Sequence, residues 1–314
     1  MEASTDRHRT HYPSHPASSA LALRVHTARH AVSKAVNLTR NLRQHFYLSR
    51  LLGDLGLLNR QDFYAGLRYR YLRRFYLGAA FSIPERLEVA INHYQNIGRH
   101  FRSGFLQTAR RTGFGLWRHM HEDTRIDIAL RYPYAYNHDG DLCLTLDVNG
   151  VNICIVTFSI APGATVGVPE PQVLLVSGIQ GIAGKIAEIR HATEVCNNVS
   201  PAHMLLFAAE TLGAEIGIKT LVGMGQGRVR GDHASRFDYD AFWMPIANSE
   251  QASDFYPLPL PFADKPLDAI AAKHRSRARK RRELRNVIRD AIAAQAQATL
   301  MKDCLITGNH ITQL

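Results

Sequence analysis

Hydrophobic positions follow a helical period in the first part of the chain and a strand period later. Between residues 20 and 46, apolar side chains recur three and four positions apart, which indicates one face of an amphipathic helix. A second helical pattern covers residues 83–97 and begins after Ser82, with Pro84 in its first turn. From residue 140 onwards, short apolar runs bounded by turn residues predict strands instead.

A β-hairpin is the clearest local prediction. Asn149-Gly150 separates two apolar runs at 142–148 and 151–160, and both residues tolerate the positive φ angles of a two-residue turn. A third apolar run at 172–179 predicts another strand. These segments indicate an antiparallel sheet at the centre of the protein.

Helices and one more strand follow the hairpin. A glycine-rich stretch leads into a helix that ends near Cys196, and Ser200-Pro201 supplies an N-cap and a first-turn proline for a second helix, which Gly217 ends. Residues 219–224 predict a fourth strand. The order predicts a mixed α/β fold, a mostly antiparallel central sheet with flanking helices, preceded by a helical N-terminal region.

We expect four segments along the chain. Residues 1–19 read as a disordered leader, 20–125 as a basic helical region, 126–290 as the α/β core with a basic C-terminal helix, and 291–314 as a tail. In that basic helix, we expect Leu284, Val287, Ile288 and Ile292 to dock on the sheet and leave the charged side in water.

The charge balance favours acidic partners. Lys and Arg number 38 against 27 Asp and Glu, which gives a net charge of +11 and favours acidic partners such as phosphorylated ligands, anionic lipids or nucleic acid. An alternation of Arg with Tyr and Phe at 63–81 could clamp nucleic acid, but no sequence-reading motif accompanies it. Packing of these aromatics therefore ranks ahead of nucleic-acid binding.

Cysteine spacing and hydropathy point to a reducing compartment. The four cysteines form no C-x-x-C pair, so neither a zinc knuckle nor a disulfide scaffold is expected, and Cys143 and Cys154 are predicted to be small buried hydrophobic residues. The chain has no run of 18 apolar residues. We expect a cytoplasmic protein whose basic segments are candidates for contact with the inner membrane face.

Five blocks of the sequence resemble one bacterial family. They are IPERLEVAINHYQ at 83–95, LLVSGIQG at 174–181, FDYDAFW at 237–243, FYPLPLP at 255–261, and the basic run at 273–288. In this order they resemble the VirK/YbjX family across residues 60–290. The resemblance implies a role in envelope integrity, virulence or resistance to antimicrobial peptides, and it implies no particular reaction. The chain departs from the family pattern before the helix at 201 and at 224–233.

The element order also resembles the layout of GNAT-type acyltransferases. In those enzymes a Gln/Arg-x-x-Gly-x-Gly/Ala loop between a strand and a helix holds the pyrophosphate of coenzyme A. Gln180, Gly181 and Gly184 approximate that loop, and they are the candidate cofactor-binding residues. The layout implies acyl-CoA or an acyl carrier protein as the donor, although an extra helix before the next strand departs from it.

The densest polar cluster follows the predicted fourth strand. We expect His233 to act as a general base and Tyr239 as an acid. The candidate substrate-binding residues are Arg228, Arg230, Arg236, Asp238, Asp240 and Trp243. The alternative is that Asp and Arg pair to anchor an irregular loop while Trp243 closes the core. No metal site is expected, because HExxH and paired cysteines are absent.

Two functional hypotheses remain open at the level of sequence. The first is an acyltransferase that moves an acyl group from a thioester carrier to an amine or hydroxyl acceptor in support of the cell envelope. The second is a non-catalytic accessory protein that binds anionic lipid or an acidic partner through its basic patches.

Overall fold

The computed structural model describes residues 34–58, 63–73, 76–78, 81–133, 139–229 and 237–302. The chain divides into two units, residues 1–43 and residues 44–314. Within the first unit, residues 34–40 are helical. The leader and residues 20–33 of the predicted N-terminal helix lie outside the described residues.

The second unit is built on one sheet. In the described part of the chain its seven strands are β1 (Phe114–His121), β2 (Thr124–Arg131), β3 (Leu142–Val148), β4 (Val151–Ala161), β5 (Val173–Gly181), β6 (Thr220–Met224) and β7 (Phe255–Pro259). They lie side by side in chain order. Neighbours are antiparallel, except that β5 and β6 run parallel. The predicted mixed α/β fold is confirmed.

Helices pack on this sheet and on one another. They are α1 (Leu42–Asp54), a 3₁₀ helix (Phe63–Leu72), α2 (Ile83–His100), α3 (Phe105–Arg111), α4 (Ile186–Val195), α5 (Pro201–Glu215), α6 (Tyr239–Ala247) and α7 (Ala272–Thr299). The helix α2 packs on β4, α5 packs on the central strands, and α7 packs on α5 and β1. Among the described residues no helix is long and apolar enough to cross a bilayer.

Local signals in the sequence are confirmed where turn or cap chemistry decides the structure. Asn149 and Gly150 have φ angles of 51° and 82°, as the hairpin requires. At the start of α2, the side chain of Ser82 accepts from the backbone N–H of Glu85 and the backbone N–H of Ser82 donates to the Glu85 carboxylate, which makes a capping box. Ser200 caps α5 as predicted.

Other boundaries differ from the predictions. β5 extends two residues further than predicted and includes Gln180 and Gly181. Val287, expected on the docked face of α7, is 57% exposed, whereas Leu284, Ile288 and Ile292 are buried. The reason is the helical period, which turns position 287 away from the stripe formed by the other three.

A buried carboxylate ties the first helices to the sheet. Asp141, which precedes β3, is fully buried and accepts hydrogen bonds of 2.6 Å from the hydroxyls of Tyr76 and Ser159. A guanidinium nitrogen of Arg70 lies 3.5 Å from its other oxygen. A hydroxyl from Tyr94 of α2 also reaches it, at 3.5 Å. One side chain thus links the 3₁₀ helix, α2, β3 and β4.

The charge of the buried Arg70 side chain is paired with Asp141 inside the protein. The guanidinium donates to the Tyr132 hydroxyl at 2.9 Å and to the carbonyl oxygen of Gly140. Burial alone lowers the pKa of the guanidinium, but the neighbouring Tyr132 and Asp141 outweigh this effect, so its pKa lies above the ordinary value. The expected packing role of the Arg–aromatic segment is confirmed here, since Tyr71 and Tyr76 are fully buried.

Side chains from α2 bond the backbone at the end of β4, where this strand extends beyond β3. Pairing with β3 stops at Leu142 opposite Phe158, so Ile160 lies beyond it. From α2, the Nδ1 atom of His93 accepts from the Ile160 N–H at 3.2 Å, and the amide of Asn92 donates to the Ile160 carbonyl at 3.0 Å. His93 is fully buried, and burial lowers its pKa to about 4.

Substituting Asp141→Asn should cost about 3–5 kcal/mol of unfolding free energy, because the buried Arg70 charge loses its counter-charge. Urea unfolding of the purified protein measures this. Asp254→Asn is the matched control, since Asp254 pairs with Arg228 at 2.9 Å where both side chains reach solvent. Equal losses in the two variants would contradict a special role for Asp141.

Stability should fall between pH 6.5 and pH 4 because of His93. The unfolded chain takes up a proton near pH 6.5, while the folded protein resists protonation down to about pH 4, so the folded state loses up to about 3 kcal/mol across that window. In urea unfolding at several pH values, the unfolding free energy of His93→Asn should change less with pH than that of the unchanged protein. The exposed His274→Asn is the control, and parallel profiles for all three proteins would exclude this origin.

Candidate functional site

β5 carries a bulge at its centre. Thr157 of β4 pairs with Gly178, and Phe158 pairs with Val176, so Ser177 has no opposite residue. A bulge of this kind bends the strand and increases its twist. The apolar run therefore changes direction at Ser177.

The bulge coincides with the point where β5 parts from β6. The parallel pairing covers only Leu174 to Val176 on β5 and Leu221 to Gly223 on β6. β5 then continues to Gly181 with no further registered partner on β6. Two parallel neighbours that part in this way leave an opening in the backbone pairing at the carboxyl end of the two strands, the place where ligands of α/β proteins bind.

The side chain of Tyr239 occupies the inner part of this opening. Its hydroxyl accepts from the backbone N–H of Ile179 at 3.0 Å and donates to the carbonyl of the same residue at 3.1 Å. These are the two groups that a neighbouring strand would have bonded. Tyr239 is 4% exposed and thus stabilises β5 where β6 has left it.

The outer part of the opening is the exposed end of β5. The N–H of Ile182 donates to Ile153 on β4, so the alternation of the strand directs the polar backbone groups of Gly181 towards the open edge, like those of Ile179. Both Gln180 and Gly181 are exposed. An extended amide-containing ligand could pair with this edge.

The turn that follows leads into α4. Gly184 has a φ of +78°, and no atom lies within 4 Å of the position of a Cβ there. The residue at the N-cap, Lys185, provides no capping side chain, and its ammonium donates to Glu188 at 2.9 Å. The start of α4 therefore combines first-turn N–H groups, a cation and open space beside the end of β5.

The turn after β6 is held by a network on Asp240. Its carboxylate accepts from the backbone N–H of Gln226 at 3.1 Å and from the Tyr256 hydroxyl at 2.9 Å. The side-chain oxygen of Gln226 accepts in turn from the N–H of Tyr239 at 3.0 Å. This network sets the position of α6 and, through it, the Tyr239 hydroxyl.

Three more of the predicted substrate-binding residues have structural contacts. Asp238 caps α6 by accepting from the N–H of Ala241 at 2.9 Å. Arg228 pairs with Asp254 at 2.9 Å. Trp243 is fully buried against Gly223, where an added Cβ would lie 2.3 Å from the indole ring. His233, Arg230 and Arg236 lie outside the described residues.

Ser177 and the loop beside it were not among the predicted site residues. The Ser177 hydroxyl is buried and has no hydrogen-bond partner among the described residues. A Cβ added to Gly140 would lie 3.0 Å from this hydroxyl, and one added to Gly178 would lie 3.3 Å from the Asp139 carboxylate. A Ser-Gly pair inside an apolar strand is the signal that could have indicated the bulge.

The cysteines behave as the sequence predicted. Cys143 and Cys154 are buried, and burial raises the pKa of each thiol to about 12. Cys196 is also buried, with its pKa raised to about 12 for the same reason. Since the thiolate is the nucleophilic form, these three residues contribute to packing and not to catalysis.

Tyr239→Phe should destabilise the protein by about 1–3 kcal/mol, because the polar groups of Ile179 would be left buried without a partner. Hydrogen exchange at the Ile179 amide should accelerate in the same variant. The control is Tyr47→Phe, whose exposed hydroxyl accepts only from the Gln95 side chain among the bonds described. Unchanged exchange at Ile179 would contradict this role for Tyr239.

Comparison with known proteins identifies relatives across most of this unit. The family model described as "Protein of unknown function (DUF535)" matches residues 56–294. The uncharacterized protein YbjX of Escherichia coli K12 is 22% identical over 248 residues, which is 71% of this chain and 70% of the relative. An uncharacterized protein of Haemophilus influenzae is 35% identical over 122 residues, which is 37% of this chain and 41% of that relative.

No solved structure matches the chain. The family model covers well over half of the residues, and the matched region contains the whole sheet together with the opening between β5 and β6. This chain therefore belongs to the DUF535 family of proteins of unknown function.

Proposed function

We propose that the protein transfers an acyl group from a thioester carrier, acyl-CoA or an acyl carrier protein, to an amine or hydroxyl acceptor. The observation that carries the proposal is the opening between the parallel strands β5 and β6, which begins at the Ser177 bulge and leads into the turn before α4. We propose acyl transfer because this arrangement resembles the layout expected of GNAT-type acyltransferases. The presence of both α4 and α5 before β6 is a departure from that layout.

The groups around the opening fit the donor that such a reaction uses. The arm of an acyl carrier is an extended chain with amide groups, which suits the free edge of β5 at Gly181. The phosphate end of the arm suits the turn at Gly184, where the first N–H groups of α4 are directed outwards; the Lys185 ammonium, which pairs with Glu188, would exchange this carboxylate for the phosphate. Gln180 and Gly181, two of the candidate cofactor residues, form the end of β5 that leads into the turn at Gly184, the third candidate.

The reaction requires the acceptor nitrogen or oxygen to attack the thioester carbonyl, with loss of the acceptor proton and departure of the thiol. In this proposal His233 takes the proton as the general base. Tyr239 is the acid candidate that lies at the opening, where its hydroxyl already contacts the β5 edge. The Ser177 hydroxyl and the Asp139 carboxylate, on the strand and loop at the bulge, are additional candidates for contact with the acceptor.

The biological setting of the proposal comes from the resemblance to the VirK/YbjX family. That resemblance implies support of the cell envelope, virulence or resistance to antimicrobial peptides. The acceptor is therefore proposed to be an amine or hydroxyl group of an envelope component or its precursor.

Thermal denaturation with acetyl-CoA, a long-chain acyl-CoA and free pantetheine tests the proposal. A ligand present at 100 times its dissociation constant should stabilise the protein by about 2.7 kcal/mol. Ala183→Glu should abolish the shift, because it adds a negative charge to the exposed turn before α4 without requiring a positive φ angle.

The matched control is Ala294→Glu, which makes the same exchange at an exposed position of α7 and should leave the shift intact. A shift with acyl-CoA that Ala183→Glu removes and Ala294→Glu retains supports acyl transfer. No shift with any of the donors, or equal effects of the two substitutions, would contradict it.

A further inference from the structure

A cationic cleft lies between the first half of α7 and the segment at 262–270. Its volume is about 480 Å³, within the range of small-molecule sites. The positively charged side chains that line it are Lys265, Arg277, Arg281, Arg282 and Arg285, with His274 at one side. Asp264 is the acidic residue in this lining.

The helical period explains how the cations come to face one cleft. The face of α7 that buries Leu284, Ile288 and Ile292 continues towards the helix start at steps of three and four residues. Arg281 and Arg277 occupy those positions. A face that is apolar where it docks on α5 therefore becomes cationic where it borders the cleft.

Positive charge in the cleft exceeds what Asp264 can balance. This carboxylate contacts Arg285 at 2.7 Å and Arg282 at 3.5 Å. Arg281 donates to the carbonyl of Asn198 at 2.7 Å, which does not neutralise its charge. Arg277 forms no ion pair with the described residues. Like charges that share a concave surface repel one another, and a bound anion would relieve this repulsion.

Hydrogen bonds hold the wall opposite α7 in place. Arg275 donates to the Ile270 carbonyl at 2.9 Å, and Arg285 donates to the Phe262 carbonyl at 3.3 Å. The N–H of Phe262 donates at 2.8 Å to Glu210, a buried residue of α5. The wall opposite α7 is therefore preformed and needs little ordering when a ligand binds.

The floor of the cleft determines what kind of anion fits. Phe207, Ile270 and Ala278 supply the apolar part of the lining, which we call the floor. The Arg285 guanidinium lies 5.9 Å from the centre of the Phe207 ring, so an aromatic face and a cation are adjacent. A simple inorganic anion would leave this floor uncovered.

We propose that this cleft binds a phosphate group carried on an apolar body, with the phosphate held by Arg277 and Arg281 and the apolar part on Phe207 and Ile270. Guanidinium forks match phosphate oxygens in geometry and charge. The ligand can be a free organic phosphate or the headgroup region of an anionic phospholipid, which share this chemistry. The inference is independent of acyl transfer at the β5–β6 opening.

Isothermal titration with 1-naphthyl phosphate and with inorganic phosphate tests the site in solution. Naphthyl phosphate should bind more tightly than inorganic phosphate, because its ring covers the apolar floor. The double variant Arg277→Glu with Arg281→Glu should weaken binding at least about tenfold, through loss of two charge-assisted contacts. Sodium acetate at matched ionic strength controls for general salt effects.

The matched control variant is Arg279→Glu with Lys280→Glu. It makes the same change in net charge at exposed positions of α7 that do not line the cleft, and it should weaken binding less than about twofold. The double variant Arg277→Gln with Arg281→Gln removes the two positive charges without introducing negative ones, so it provides a second test if the charge-reversed protein does not fold. It should also weaken binding.

Co-sedimentation with vesicles of phosphatidylcholine containing phosphatidylglycerol identifies the source of the phosphate. Vesicle binding that the cleft variants lose and the control variant retains, without binding of naphthyl phosphate, supports a lipid headgroup. Binding of naphthyl phosphate with the same pattern supports a free organic phosphate. Equal losses in cleft and control variants, or no binding of any probe, would overturn the proposal.

Discussion

The fold depends most on the Asp141 carboxylate, which is enclosed by Arg70, Tyr76, Tyr94 and Ser159. A carboxylate without access to water is costly unless it is paired and hydrogen-bonded, and here each partner comes from a different element. The 3₁₀ helix and α2 can therefore pack on the sheet in one way only. This arrangement also fixes the Asp139-Gly140 loop against the bulge of β5, next to the proposed site.

Where a strand extends beyond its neighbour, side chains bond the backbone N–H and C=O groups that the neighbour would have paired. At Ile160 on β4, His93 and Asn92 bond the backbone groups that β3 does not reach. At Ile179 on β5, the hydroxyl of Tyr239 alone bonds both groups that β6 does not reach. The two solutions have different consequences. The side chains of α2 cover the end of β4. By contrast, β5 continues past Tyr239 to an exposed end at Gly181. The second edge is thus the one at which a ligand can pair with the backbone.

Local rules in the sequence were sufficient for the hairpin, the capped helices and the buried cysteines, because each depends on residues close together in the chain. They were insufficient for β1, where only Leu116 and Trp117 are buried, and for β7, where Pro257 and Pro259 weaken the strand pattern. In the Asp141 cluster, Arg70 lies 71 positions before the carboxylate that it pairs with, so no local pattern could reveal the cluster. The same holds for the β5–β6 opening: the sequence placed Gln180 and Gly181 in a loop, while their actual position at a strand end depends on where β6 stops pairing.

Arginines in different parts of the fold differ in whether a neighbouring carboxylate balances their charge. Arg70 is buried and matched by Asp141, and Arg131 reaches solvent in part but is paired with Asp147. The charges of Arg277 and Arg281 on α7 are not balanced in this way, although they lie on the face that docks the rest of that helix. Apolar residues at positions 277 and 281 would extend the buried face of α7 and bury more surface. The arginines at these positions therefore make the helix less stable than it would be with apolar residues. Loss of docking area in exchange for concentrated positive charge over an apolar floor is the arrangement expected of a binding site, and not of a merely solvated helix face.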